Sequence, residues 1–153
     1  MDMAIDCSAF NDITRETLAS AIEVHRALGP GLFESAYHPC LHFELASRGL
    51  RFDVQRRVPI VYKGQQLNVC YRVDLIVEDI VVVEVKSVAA ITPVYEAQVL
   101  TYLRLTGCPA GLLINFNVPR LMDGVKRLIN PRGGVTGKRA GDGPIQGAEI
   151  KSD

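Results

Sequence analysis

Two acids stand where the sequence otherwise turns apolar, and a lysine follows one of them at a spacing of two. Asp74 lies inside Val73-Asp74-Leu75-Ile76-Val77, and Glu84 inside Val83-Glu84-Val85-Lys86, directly after the apolar run Ile80 to Val83. Alternating apolar and charged residues alone describe any half-exposed strand. Here, however, both runs read as central strands covered on both faces, and a buried acid costs several kcal/mol (about 3–5) unless it is paired or holds a metal. Asp74 and Glu84 offer hard oxygen ligands to Mg²⁺ or Mn²⁺, and the carbonyl of Val85 can add another. Lys86 points to the same side as Glu84, where it can orient or deprotonate the attacking water, or stabilise charge that develops on phosphorus. This is chemistry for in-line hydrolysis of a phosphodiester.

The arrangement depends on the connection between the two strands. If Glu78 and Asp79 alone form the turn, Asp74 pairs with Val83 and faces away from Glu84. A three-residue connection, Glu78 to Ile80, or a bulge puts Asp74 opposite Glu84. Glu-Asp lacks the Gly or Asn that a two-residue hairpin favours, so the odd-length loop is expected.

The elements around these residues follow from periodicity. A first helix is expected from a cap at Asn11 or Asp12, with Leu18, Ala21, Ile22 and His25 on one stripe and a stop at Gly29-Pro30-Gly31. A second runs from about Phe33 to Arg48, with Glu34, Tyr37, Leu41 and Leu45 on one face and a kink at Pro39. Strands are expected at Val54 to Tyr62, Leu67 to Val77 and Ile80 to Val85, then a helix capped by Thr92 with Pro93 at its first position and Gly107 after its end. Ala110 to Phe116 and Val125 to Ile129 complete an order α-α-β-β-β-α-β-β. Residues 131–153 hold six of the thirteen glycines and no aromatic residue, and read as a flexible tail behind a single domain of 1–130.

Composition bounds the function. Lysine plus arginine and aspartate plus glutamate both number 17. With four basic and three acidic residues in 131–153, the domain itself carries a net charge of −1. The broad basic footprint of a non-specific nucleic-acid binder is absent, so any such role rests on a local site. Cys7, Cys40, Cys70 and Cys108 lie far apart, without zinc or iron–sulfur spacing, and read as reduced, half-buried thiols. The acidic N-terminus has no apolar signal core and no run is long enough to span a bilayer, which points to the cytoplasm and to no membrane contact. His38 and His42, four apart, lack the intervening glutamate of a metalloprotease, and surface or core roles are expected for them. Tyr37 stands evenly between a core position and a phosphate contact.

Gly31-Leu32-Phe33-Glu34-Ser35-Ala36-Tyr37 matches GxxExxY. Asp74, Glu84-Val85-Lys86 and Gln98-Val99-Leu100-Thr101-Tyr102 then follow in the order of a PD-(D/E)XK core. Over about Ile13 to Asn130 the chain resembles the GxxExxY family of that nuclease superfamily, related to RecB-type and lambda-exonuclease-like enzymes. Phrases such as Tyr71-Arg72-Val73-Asp74-Leu75 and Leu112 to Pro119 add to the likeness, while Val73 stands where the superfamily's name places proline. The resemblance implies a restriction-endonuclease-like α/β core, a central mixed sheet flanked by helices. It implies a Mg²⁺ or Mn²⁺ site of Asp74 and Glu84 supported by Glu34, with Lys86 as the catalytic cation. Gln98 and Tyr102, four apart on one helical face, would support Lys86 or contact a substrate phosphate. The implied activity is a nuclease acting on DNA; a catalytically silent module binding nucleic acid or protein is the alternative, and a homodimer or protein partner stays open.

Overall fold

A computed structural model of the chain describes residues 7–131, with side chains from residue 10 onward; apart from Pro131, the expected tail lies outside the described residues. The elements are α1 (Cys7–Leu28), α2 (Glu34–Ser47), β1 (Phe52–Tyr62), β2 (Gln65–Val77), β3 (Val81–Lys86), α3 (Pro93–Thr106), β4 (Ala110–Asn115), a 3₁₀ turn (Leu121–Gly124) and β5 (Val125–Ile129). The expected order is therefore found, with the 3₁₀ turn added.

All five strands form one sheet in the order β1-β2-β3-β4-β5. β3 and β4 are parallel and the other neighbours antiparallel, so the sheet is mixed. Parallel neighbours need a crossover, which α3 supplies. Gly107 ends α3 in the left-handed region at φ 76°. Gly111 in β4 lets the helix lie close, because a Cβ there would stand 2.7 Å from Cγ1 of Val99.

The two faces of the sheet are covered by different helices. Val81, Val83 and Val85 of β3, with Leu75, Val77, Leu112 and Ile114, pack against Ala21 and Val24 of α1 and Tyr37, Leu41 and Leu45 of α2. On the other face Ile76, Val82 and Leu113 meet Val99, Tyr102 and Leu103 of α3. β4 is buried along its whole length, as an apolar run flanked by β3 and β5 should be. Among the described residues, no helix is long and apolar enough to cross a membrane.

Several boundaries differ from expectation for physical reasons. α1 begins at Cys7 rather than at a cap on Asn11 or Asp12. Asn11 instead accepts a hydrogen bond from Arg127 at 2.8 Å, and Asp12 pairs with Arg15, so neither side chain caps. α1 also buries Thr14, Thr17 and Ser20, whose hydroxyls each donate to the carbonyl four residues back. α2 starts at Glu34 and continues through Pro39, which lies on its exposed side. Thr92 holds the N-cap position of α3 without a side-chain cap; its carbonyl instead accepts from the N–H groups of Tyr95 and Glu96. Cys40 and Cys70 are half-buried and Cys108 is buried.

Candidate functional site

The register of the β2–β3 hairpin decides which side chains meet. Val77 pairs with Val81, Ile76 with Val82 and Leu75 with Val83, so the connection is the three residues Glu78, Asp79 and Ile80. Continued by one step, that register sets Asp74 opposite Glu84. The lack of Gly or Asn did not exclude left-handed backbone here: Glu78 and Asp79 take φ of 52° and 56°. The Ile80 N–H closes the turn onto the Val77 carbonyl at 2.9 Å, and Ile80 becomes the extra residue that shifts the parity. The Glu78 carboxylate in turn accepts from the backbone N–H of Arg51 at 2.7 Å, and the Glu78 N–H donates to the Arg51 carbonyl, which ties the turn to β1.

Beyond Leu75 and Val83 the two strands part. The Lys86 carbonyl accepts from Phe116 N–H at 2.9 Å, so alternation along β3 turns the backbone groups of Val85 toward β2. There the Val85 N–H donates to the Asp74 carboxylate. The Val85 carbonyl lies on this same β2-facing edge. A side chain thus occupies the gap where a strand pair opens, and Glu84 closes it from beside.

The Asp74 and Glu84 carboxyls are in direct contact, and the Lys86 Nζ lies 3.6 Å from Glu84 Oε2. Glu84 is only 3% exposed, and its Oε1 has no hydrogen-bond partner. Burial first, and then the neighbouring Asp74, push its carboxyl up to about 9, against the opposing pull of Lys86. Burial alone would raise Asp74 as well, but the His38 ring, the Glu84 carboxyl and the Val85 N–H outweigh it and hold Asp74 below its ordinary value. Two like charges this close cannot both ionise cheaply, so without a cation the pair shares one proton.

The helices add residues from both layers. From α3, Gln98 donates to the Tyr102 hydroxyl at 2.8 Å. Burial, then the charges of Glu84 and Asp74, push the Tyr102 phenol up to about 12. The group from α3 that touches Lys86 is Tyr95, whose ring centroid lies 4.8 Å from the ammonium; neither Gln98 nor Tyr102 does so. From α2, the residue that reaches Asp74 is His38, with Nε2 at 3.7 Å from Oδ2. His42 stands behind it, with ring centroids 5.7 Å apart, stacked on Phe52. Glu34, one turn before His38, is half-buried at the start of α2. Among the described residues no three His, Cys, Asp or Glu side chains are grouped to hold a metal, so Glu34 does not complete such a group with Asp74 and Glu84.

Tyr37 belongs to the core. It is fully buried, stacks on Phe116 at 4.4 Å, and its hydroxyl donates to the Gly29 carbonyl at 2.6 Å while accepting from Leu32 N–H at 3.2 Å. It therefore fixes the loop between α1 and α2 and makes no site contact. Sequence reasoning passed over Asn115, which is 2% exposed at the end of β4. Its side chain accepts from the N–H groups of Val88 and Asn117 and donates to the Val88 carbonyl, so it pins the segment that leaves Lys86. A polar residue closing an apolar strand was its only sequence signal. His38 gave less, since a histidine on a helix is compatible with many roles.

The donor set suits a hard divalent cation. Mg²⁺ is commonly held by one or two carboxylates, with water and substrate phosphate completing the shell. Asp74 and the unpartnered Oε1 of Glu84 offer that number, and a cation there would relieve the repulsion that now retains a proton. The profile of the PD-(D/E)XK nuclease superfamily matches residues 11–128. No curated protein and no solved structure shows significant similarity to the chain.

Proposed function

Since the chain belongs to the PD-(D/E)XK nuclease superfamily, we propose that it is a divalent-metal-dependent nuclease that hydrolyses phosphodiester bonds of DNA in the cytoplasm. Asp74 and Glu84 hold Mg²⁺ or Mn²⁺ on this reading, with the Val85 carbonyl as a further oxygen. The bound ion would supply Lewis-acid activation of the phosphodiester and neutralise charge in the transition state. Lys86 orients the attacking water or takes its proton, and stabilises the charge that grows on the phosphoryl oxygens. Gln98 and Tyr102 act as a bonded pair toward a substrate phosphate. The Val85 N–H keeps Asp74 turned into the gap between the strands. Gly31, Glu34 and Tyr37, which match GxxExxY, support membership of the GxxExxY family within the superfamily.

The observation that carries this reading is the buried Glu84 carboxyl against Asp74 and 3.6 Å from an ammonium. A buried acid pair that must keep a proton to stay together costs stability, and a cation held between the two would take that proton's place. The test is incubation of the purified protein with single- and double-stranded DNA and RNA in Mg²⁺, Mn²⁺ or EDTA, beside Lys86→Ala. Cleavage that needs the cation and falls by about a hundredfold or more in Lys86→Ala, the scale of losing one electrostatic stabiliser, is the expected result. Cleavage by Lys86→Ala at the wild-type rate would remove the central residue. The second reading, a silent binding module of the same fold, draws on the net charge of −1 over residues 1–130. Metal-independent binding without cleavage would favour it.

A further inference from the structure

We propose that Tyr95 is the positioning residue for Lys86, holding the ammonium in the site through its ring when the carboxylates are engaged by a cation; the inference rests on the nuclease reading for its catalytic meaning. Lys86 has two partners, the Glu84 carboxyl at 3.6 Å and the Tyr95 ring at 4.8 Å. The first weakens once a divalent ion occupies Glu84, because the carboxylate's charge is then shared and the ion repels the ammonium. A lysine on a four-carbon stem, 17% exposed, has water within reach and would swing outward. The ring face does not compete for the metal and keeps its attraction for the ammonium.

The fold supplies Tyr95 for this place. It is the third residue of α3, after Pro93 and Val94, and its N–H is fixed on the Thr92 carbonyl at 3.1 Å. Its ring packs at the edge of the apolar cluster under the sheet, with Val82, Val99 and Tyr102. Tyr95, Gln98 and Tyr102 recur at three and seven residues and so share one face of α3. On this face Gln98 bonds the Tyr102 hydroxyl, and Tyr95 lies under the amine. Neither the superfamily match nor the motif Gln98 to Tyr102 assigns Tyr95 a role.

The test uses the full chain with its five lysines reductively methylated with ¹³C, a modification that keeps the charge. The Lys86 methyl signal is assigned by its loss in Lys86→Arg. In wild type and Tyr95→Phe it should be shifted upfield by the ring, and should stay so when Ca²⁺ fills the oxygen site; in Tyr95→Leu the shift should vanish. Cleavage by the unmethylated proteins in Mn²⁺ should fall about tenfold in kcat for Tyr95→Leu, the scale of one partly desolvated cation–π contact, with KM unchanged and Tyr95→Phe near wild type. An unshifted Lys86 signal in wild type, or one that leaves the ring when Ca²⁺ is added, overturns the proposal even if Tyr95→Leu folds poorly. So does wild-type kcat in Tyr95→Leu. If wild type cleaves no nucleic acid, the nuclease reading fails by itself, and the methyl signal still decides whether Tyr95 holds Lys86.

Discussion

Glu84 couples the chemistry of the site to the stability of the fold. Its carboxyl rises to about 9 in the folded protein, above the ordinary 4.5, through burial first and Asp74 second. Between those values the folded chain keeps a proton that the unfolded chain has released, so folding stability falls as pH climbs through this window. Removing the titration should remove the fall. Glu84→Gln in EDTA is expected to melt higher than wild type, with an advantage that is small at about pH 5 and grows to several degrees by about pH 8. Thermal melts across that range decide it; a pH-independent difference would mean that the two carboxyls do not share a proton. The same residue should mark the functional cost, since Glu84→Gln gives up the negative charge and one of the two oxygens with which Glu84 would hold a cation.

At the level of elements, the site is assembled by one parity choice and by two helix faces. The parity was legible: Glu78-Asp79 is a poor two-residue turn, and the register through Leu75 and Val83 follows the three-residue connection. The left-handed backbone at Glu78 and Asp79 was not legible, because the contacts that stabilise it come from Arg51, far away in sequence. Strand and helix order could be read from period and turn chemistry. The start of α3 after Thr92 could be read as well, although Thr92 caps with its backbone alone; the start of α1 could not, since Asn11 is taken by Arg127. Asp74, Glu84 and Lys86 were readable as charges in apolar strands. His38 and Tyr95 were not, because a ring on a helix carries no sign of what stands 3.7 or 4.8 Å away. Tyr37 tests this scale. Tyr37→Phe keeps the stack on Phe116 but loses the hydroxyl that bridges the backbone of half-buried Gly29 and exposed Leu32. It should cost about 0.5–1.5 kcal/mol in urea unfolding, with faster amide exchange in the loop between α1 and α2. A change confined to activity, with no loss of stability, would return Tyr37 to the list of substrate contacts.

For the whole molecule the question is what holds a polyanion on a chain with no excess of positive charge. Residues 1–130 carry 13 basic and 14 acidic side chains. Many of the basic ones are already engaged: Arg15, Arg26, Arg48, Arg51, Arg56, Lys86 and Lys126 each stand within ion-pair distance of a carboxylate. Arg127 lies over Phe10 while bonding Asn11, and Lys63 lies over its neighbour Tyr62. Among the described residues this leaves Arg57, Arg72, Arg104 and Arg120 outside such ion-pair and ring contacts, and on the proposed reading a cation held by Asp74 and Glu84, with contacts beside it, supplies most of the attraction. Binding to DNA in Ca²⁺ should therefore be lost in EDTA and in Asp74→Asn. It should also weaken by less than about a hundredfold between about 50 and 200 mM salt, against about 10³–10⁵ for proteins that neutralise 6–10 phosphates. Fluorescence anisotropy with a labelled oligonucleotide at several salt concentrations, each with Ca²⁺ or EDTA, measures both dependences at once. A steep salt slope that survives EDTA would show that a basic surface, not the carboxylate pair, holds the nucleic acid. That outcome would turn the chain from an enzyme with a local metal site into a binding module.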